Sequence, residues 1–346
     1  MKTLTRASQQ LFTRSPDEYF DSLPALLEYC RALKDGAFEV KEKSTVFKPM
    51  LQDGQVKLQV NGYAPMALNE WSFTQVCMMA GVAKETVNRL SGPTAGQVLT
   101  ETLGQRVNEE TEWQALFVND KTVRSVNGSR YQRLWTADLV MMLLEYATDF
   151  TLPQKGFNGA TGLYAGDQDV FCFMIDPTGW VEIAGQAFAP GFFVWNSEVG
   201  KRTVGISTFW FQAVCANHIV WDATETVEFV RRHTGDVGES LNQIRRILQE
   251  LVQKRDERKD GFAKTIARAM VTTYGNDKDE VMELLGKAGF AKALAEKALQ
   301  LANCSGRFTI WSVVDALTQL AREQKFAGNR VELDTKAASL LELVSL

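Results

Sequence analysis

The chain has 346 residues, of which 45% are hydrophobic and 23% are charged, as is typical of a folded globular protein. Its formal net charge of −4 excludes a surface that is basic throughout but allows a local basic patch. No apolar run approaches the roughly 18–20 residues that a transmembrane helix needs, and the first residues lack the apolar core of a signal peptide.

Cysteine and histidine usage indicates the redox compartment and the metal chemistry. The five cysteines are widely spaced and form no CxxC pair, which is typical of reduced thiols and not of disulfides or a zinc site. Only two histidines, His218 and His233, are available for metal binding. We therefore expect a cytoplasmic protein without a membrane segment, a bound metal or a cofactor.

Several segments in the first half of the chain carry local sequence patterns that predict a helix or a strand. The Ser-Pro-Asp-Glu run at 15–18 combines an N-cap, a proline at the first helical position and an acidic first turn, which predicts that the first helix begins there. Ser72 and Gln75 have the spacing of a capping box and predict a second helix. Residues 113–118 and 122–126 are predicted to be strands, and Thr136 is predicted to cap an apolar helix.

Residues 73–90 allow two interpretations. A helix, an Ala-Gly turn and a short second helix form the pattern of a DNA-reading helix-turn-helix, in which Thr86, Asn88 and Arg89 would contact DNA. An ordinary packed helical hairpin explains the same pattern, and the position of the segment between predicted strands favours this second interpretation.

The stretch from 192 to 221 carries the strongest β-sheet signal. Two extended runs flank a polar turn at 196–202, which is the pattern of a β-hairpin. The second run first alternates and then becomes apolar on both faces at Phe209, Trp210 and Phe211, which predicts a central strand. With the runs at 170–175 and 180–189, we expect four consecutive antiparallel strands in one sheet.

Composition changes at Trp221. From Asp222 onward we expect only helices, because apolar residues recur with helical spacing, for example at Leu241, Ile244 and Leu248. The predicted fold class is α+β. An antiparallel sheet covered by helices forms a domain over residues 1–222, and an all-helical domain follows over 223–346.

Basic and aromatic residues are mixed just before the predicted Thr136 helix and at the predicted hairpin turn. Rings that stack on bases, beside cations that contact phosphates, are what binding of single-stranded nucleic acid requires. The alternative is that the rings belong to the core and the arginines are rim charges. A basic excess at 245–268 is either a phosphate-contacting helix face or a solvated one. The predicted nucleic-acid-binding residues are Arg124, Arg130, Tyr131, Arg133, Lys201 and Arg202.

The sequence patterns that would indicate an active site are weaker than the mixed basic and aromatic pattern. A thiol active site at Cys215 with His218 conflicts with the alternation of side chains along a strand, which favours a buried structural thiol. A Mg²⁺ site of a nuclease would need carboxylates on one face of the sheet, and a D-x-D pair is also common in turns. The carboxylates that could form such a site are Asp167, Asp169, Glu182 and Glu198.

The hairpin segment resembles the family catalogued as domain of unknown function 932. In that family an Asn-Ser-Glu-x-Gly segment leads into a strand that ends in Cys-x-Asn. Residues 123–131 and 232–235 are similar too, and the likeness extends from about residue 15 to 340. The resemblance implies a context of prophages, plasmids and bacterial chromosomes, and no particular activity. The residues that match the motif are Asn196, Ser197, Glu198, Gly200, Cys215 and Asn217.

We therefore expect a DNA-binding protein, with single-stranded DNA as the preferred partner. It would act as a homo-oligomer in recombination, annealing or maintenance of mobile elements, without catalytic residues. Two alternatives stay open. One is a protein-interaction or anti-host factor that docks through its helical domain and binds no nucleic acid. The other is a metal-dependent nuclease built on the four carboxylates.

Overall fold

A computed structural model describes residues 10–119, 121–153, 162–212, 218–221, 228–302 and 307–344. Short 3₁₀ helices lie at Ser44–Val46 and Ser339–Val344. The strands are β1 (Glu18–Tyr19), β2 (Ala37–Lys43), β3 (Lys48–Gln52), β4 (Gln55–Gln59), β5 (Met66–Leu68), β6 (Glu112–Val118), β7 (Thr122–Gly128), β8 (Leu163–Ala165), β9 (Val170–Ile175), β10 (Val181–Ile183), β11 (Gln186–Asn196), β12 (Val204–Gln212), β13 (His218–Trp221), β14 (Glu228–Arg231), β15 (Thr273–Gly275) and β16 (Phe308–Thr309). The helices are α1 (Leu23–Asp35), α2 (Glu70–Ala80), α3 (Lys84–Val87), α4 (Gly92–Gly104), α5 (Thr136–Tyr146), α6 (Glu239–Gln253), α7 (Arg255–Val271), α8 (Lys278–Lys287), α9 (Lys292–Ala302), α10 (Ile310–Ala321) and α11 (Ala327–Ala338).

The N-terminal part of the chain forms the small sheet, with the strand order β2-β6-β7-β5-β4-β3. β5 and β7 pair in parallel, and the other neighbours pair antiparallel. Helices α2 and α4 pack on this sheet through a core that includes Phe73, Leu99 and Phe117. The two strands predicted around residues 113–126 are confirmed as β6 and β7.

The large sheet has the order β1-β8-β9-β11-β12-β13, with β10 also paired to β11 and β14 to β12. β11 and β12 form the predicted hairpin, in register from Trp195 opposite Gly205 to Phe188 opposite Gln212. Every residue of β12 is buried, and the strand has neighbours on both sides. The predicted central strand is therefore confirmed, and with it the α+β class.

Because successive side chains of a strand point to opposite faces of the sheet, the side chains of the hairpin pack into different hydrophobic cores. Phe192 and Val194 face α1, α5 and α6, whereas Phe193 lies in a core shared with α11. At the far end of the hairpin, Trp210 stacks on Phe262 of α7 with 4.1 Å between ring centroids. Helices from beyond residue 222 thus complete the packing of the sheet, and the division into two domains at that residue stays a prediction.

Two predicted helix starts are wrong. α1 begins at Leu23 with Ser22 as its N-cap, not at residues 15–18. The segment before it is extended because the Asp17 carboxylate accepts hydrogen bonds from Arg14 and from the backbone N–H of Ala327. α2 is capped by Asn69, with Ser72 as the reciprocal residue of the capping box. At α1 this tertiary contact favours Ser22 over Ser15 as the cap, and at α2 the Gln75 side chain bonds to Asn127 and Val126 of β7 and does not take part in the cap.

The strand predicted over 180–189 is interrupted. Ala184 and Gly185 both have positive φ, 49° and 78°, and form a tight turn between β10 and β11. The helical prediction from Asp222 onward is wrong at β14, where the chain pairs with β12 as a strand and Phe229 packs against the sheet core. It is also wrong at β15 and β16, which pair with each other. Among the described residues, no helix is both long and apolar enough to cross a membrane.

Candidate nucleic-acid interface

The first half of the turn that joins β11 to β12, residues 196–199, is buried despite its polar composition, whereas Gly200 and Lys201 are exposed. Asn196 and Ser197 are fully buried. The Asn196 amide donates to the carbonyl of Leu134 at 2.9 Å, and the Ser197 hydroxyl donates to the carbonyl of Gln168 at 2.6 Å. These two side chains therefore satisfy backbone groups of neighbouring segments, while the buried Oδ1 of Asn196 has no hydrogen-bond partner among the described residues.

Glu198 connects three elements. One carboxylate oxygen accepts a hydrogen bond from the backbone N–H of Thr136 at 2.8 Å, at the N-terminus of α5, and the other accepts from Arg124 of β7 at 2.8 Å. A negative charge at this helix end is favourable because the free N–H groups there carry partial positive charge. Thr136, predicted to cap the helix with its own side chain, instead receives its cap from the hairpin turn.

The next two residues fix the turn against helix α2 and against β7 of the small sheet. The Val199 carbonyl accepts hydrogen bonds from the Trp71 indole at 2.8 Å and from the Gln75 amide at 3.2 Å. Gly200 has φ +79°, and a Cβ there would lie 2.9 Å from Asn127 Oδ1. The segment 196–200 is thus the joint between the two sheets.

Most of the cations predicted to contact nucleic acid are paired with acids. Arg124 pairs with Glu198, and Arg202 pairs with Asp169 and Glu332, each at 2.8 Å. Such pairing reduces the positive charge that a phosphate would meet.

Arg133 and Tyr131 form a buried column of planar groups. The Arg133 side chain is only 3% exposed, pairs with Glu39 at 2.5 Å and lies over the rings of Tyr131 and Trp135. Tyr131 stacks on His233, and its hydroxyl donates to the Ser197 carbonyl at 2.9 Å. Burial raises the pKa of Tyr131, and its ring is already occupied by these neighbours.

Arg130 and Lys201 are the predicted residues that remain exposed. Arg130 lines an open groove of about 840 Å³, which Glu110 and Glu112 also line. Lys201 places its ammonium group 4.8 Å from the centroid of the Trp71 ring. Among the described residues, neither side chain forms an ion pair, so both stay available to an anionic partner.

The carboxylates of the nuclease hypothesis do not converge on a metal site. Asp169 accepts hydrogen bonds from Arg14 on one oxygen and from Arg202 on the other, each at 2.8 Å. Glu182 lies on β10, opposite Ala187. In the part of the chain that the structure describes, no three His, Cys, Asp or Glu side chains are placed to hold a metal. Cys215, Asn217 and the side chain of His218 lie outside the described residues.

The helix-turn-helix pattern at 73–90 forms a packed hairpin. Gly81 ends α2 in the left-handed conformation, and α3 is a single turn. Asn88 is buried, and its amide group bonds both to the backbone N–H and to the carbonyl of Phe12, at 2.8 Å each. Asn88 therefore holds the N-terminal segment and is not free to read a base.

A cleft of about 690 Å³, counting the space at its open side, lies beside this hairpin. We call it the basic cleft. The N-terminal segment, the α3 region and the start of α11 form its walls, and two aromatic rings alternate there with cations and two acids. The side chains of these kinds that line it are Phe12, Arg14, Glu70, Lys84, Glu85, Arg89, Lys325 and Phe326.

The cations of the basic cleft differ in their pairing. Lys84 pairs with Glu70, and Arg14 pairs with Asp17 and Asp169. Arg89 and Lys325 are exposed and form no ion pair with any described residue. Two cations of the cleft are therefore unpaired within the described part of the chain, and so is the exposed Glu85.

Asp169 connects the basic cleft to the hairpin turn. Its two oxygens accept from Arg14, which lines the cleft, and from Arg202, which follows the turn. Sequence patterns indicated the turn and Arg89 but missed Phe12, Arg14 and Phe326. No local signal could have found them, because the walls of the cleft come from segments that are hundreds of residues apart.

One family model matches the chain. Its description is "Domain of unknown function (DUF932)", and it covers residues 123–339, which is more than half of the 346 residues. The match includes the hairpin turn and most of the helices after it. None of the curated proteins and none of the solved structures matches the chain.

Proposed function

The chain belongs to the DUF932 family, a domain of unknown function, and from that premise we propose that it binds single-stranded DNA in the basic cleft. The observation that carries the proposal is the combination of two aromatic rings, Phe12 and Phe326, with the unpaired cations Arg89 and Lys325 in one cleft. Phe12 stacks on Phe73 with 4.3 Å between ring centroids and Arg14 lies 4.1 Å from the Phe326 centroid, so a base would stack on the part of each ring that lines the cleft. The family description supplies no activity, so the proposal depends on this chemistry alone.

The chemistry of the cleft suits a nucleic acid. Four cations and two acids line it; Arg14 and Lys84 are paired with acids, so among the described residues the unpaired charges are those of Arg89, Lys325 and Glu85, 2 − 1 = +1, in a chain whose net charge is −4. Cations contribute through the release of counterions from the phosphates, and each base that stacks on a ring contributes about 1–3 kcal/mol. A single strand exposes the faces of its bases to such rings, whereas a duplex covers them. We therefore expect single strands to bind more tightly.

The residues predicted from the sequence would divide into two groups in this proposal. Lys201 and Arg130, which are exposed, could extend the contact with the backbone of a bound strand. Arg124, Arg133 and Arg202 would act as scaffold, because Glu198, Glu39 and Asp169 already bind them. We further propose that the protein acts as a homo-oligomer in the recombination, annealing or maintenance of mobile elements, in line with the family resemblance.

The test is fluorescence anisotropy with a labelled oligothymidylate, as a single strand and in a duplex, over a range of salt concentrations. We expect salt-sensitive binding at micromolar protein that prefers the single strand. Replacing Arg89 and Lys325 by alanine should weaken it and reduce the slope of log K against log salt by about 0.7 for each lost phosphate contact. Lys297→Ala removes an exposed cation of α9 that does not line the cleft, and serves as the control. No salt-sensitive binding at micromolar protein would refute the proposal.

A further inference from the structure

We propose that the basic cleft receives the end of a DNA strand and binds its terminal phosphate, a phosphomonoester. This inference rests on the proposed function and narrows its ligand. A terminal phosphate carries a charge between about −1.5 and −2 near neutral pH, whereas each phosphate within a strand carries a single negative charge.

The unmatched charges of the cleft fit the terminal group. Arg89 and Lys325 have no carboxylate partner among the described residues, so two positive charges face one cleft. Arg14 also lines the cleft; its Nη2 nitrogen pairs with Asp17 and Asp169, and its buried Nε has no hydrogen-bond partner among the described residues. Glu85 is exposed and carries the opposing charge. Charge-assisted hydrogen bonds from such donors to phosphate are roughly twice as strong as those between neutral groups.

The walls of the cleft limit how a strand can pass. Hydrogen bonds hold the N-terminal segment against α3. The Leu11 N–H donates to the Asn88 carbonyl at 3.1 Å, and the Asn88 side-chain amide bonds to both the N–H and the carbonyl of Phe12.

On its other side, the N-terminal segment is tied to α11 because the Asp17 carboxylate accepts from the Ala327 N–H at 2.8 Å. Both ties are made by backbone or buried groups, so this wall is part of the fold.

The volume of the cleft leads to the same conclusion. Sites that track a strand along its backbone hold about 4–16 nucleotides in a groove. Without the space at its open side, the basic cleft holds about 300 Å³, at the lower end of the range of pockets for small molecules. It can therefore hold the last residues of a strand, with the terminal base between or beside the rings of Phe12 and Phe326, but not a long continuous segment.

The experiment compares three labelled twelve-residue oligothymidylates by anisotropy at one salt concentration, carrying the label internally. One has a 5′-phosphate, one a 3′-phosphate and one neither. We expect one of the phosphorylated strands to bind at least about tenfold more tightly than the strand without a terminal phosphate. The Arg89→Ala/Lys325→Ala double variant should lose this gain, and Lys297→Ala should keep it. Circular dichroism establishes that each variant is folded.

The outcomes separate this inference from the proposed function. Equal binding of all three strands overturns the terminal-phosphate site and leaves single-strand binding intact. A gain that persists in the double variant overturns it as well, because the phosphate then binds elsewhere. Thymidine monophosphate that competes as strongly as the phosphorylated strand would show a nucleotide site and not a strand-end site. Absence of binding by every strand refutes the proposed function itself.

Discussion

Replacement of Glu198 by alanine tests whether the hairpin turn is the joint between the two sheets. The side chain of Glu198 is 4% exposed and that of its partner Arg124 is 11% exposed, so the variant leaves a buried cation without a counter-charge. Breaking a buried ion pair by removing one partner costs about 3–5 kcal/mol. The backbone N–H of Thr136 also loses its acceptor, and the loss of a helix cap costs about 1 kcal/mol.

We expect Glu198→Ala to lower the free energy of unfolding by about 4–6 kcal/mol, the sum of about 3–5 kcal/mol for the ion pair and about 1 kcal/mol for the cap. Glu198→Gln keeps an amide oxygen for one of the two hydrogen bonds but removes the charge, so its effect should be smaller. Glu112→Ala provides the control, because its carboxylate pairs with Lys41 at 3.3 Å while 40% exposed. Exposed ion pairs of this kind contribute about 0–1 kcal/mol.

Denaturation by urea, followed by tryptophan fluorescence and by circular dichroism, measures these differences. A double variant in which Arg124 and Glu198 are both leucine should be less destabilised than the sum of the two single variants, because no buried charge is left unpaired. If Glu198→Ala is no more destabilising than Glu112→Ala, the turn does not hold the sheets together and the structural argument fails.

Three further predictions concern pH, thiol reactivity and the turn. Burial lowers the pKa of His233 to about 4, below its ordinary 6.5. As the pH falls, the unfolded chain takes up this proton first, so the free energy of unfolding should fall between about pH 6.5 and 4 by on the order of 3 kcal/mol. A histidine NMR titration that finds both imidazoles near 6.5 would contradict this. Burial raises the pKa of Cys30 and Cys77 to about 12 and also raises the pKa of Cys172. At pH 8 a thiol reagent should therefore modify at most two of the five cysteines until urea is added. Modification of three thiols in the folded protein would contradict the burial of these cysteines. Gly200→Ala should cost about 1–2 kcal/mol in the same urea assay, because its φ of +79° is unfavourable for alanine, and an unchanged midpoint would count against that turn geometry.

Local patterns predicted the parts of the fold that local chemistry decides. The β11–β12 hairpin and the central position of β12 follow from a polar turn between extended runs and from Phe209 to Phe211, which are apolar on both faces. The start of α1 was missed because residues 15–18 carry the same capping signal as Ser22. Long-range contacts select between them: Asp17 accepts from Ala327, across 310 residues, and β1 pairs with β8. The strand β14 was missed for a similar reason, since its place depends on a free edge of β12.

The candidate site was harder to predict than the fold. Composition indicated that Arg124, Arg133 and Arg202 were available for phosphates, but pairing with an acid is a tertiary property that no spacing reveals. Glu198 was considered as a metal ligand, whereas it caps α5 and pairs with Arg124. The basic cleft, in turn, combines residues 12–14 with 325–326, and neither segment has a pattern of its own.

The central claim is that the basic cleft binds single-stranded DNA, and the salt dependence of binding tests it most directly. The slope of log K against log salt should be measured for the wild-type chain, for Arg89→Ala/Lys325→Ala and for Lys297→Ala. We predict a steep negative slope for the wild-type chain, a slope that is shallower by about 1.4 for the double variant because two phosphate contacts are lost, and an unchanged slope for Lys297→Ala. Equal slopes for all three proteins, or no binding by the wild-type chain, would contradict the claim.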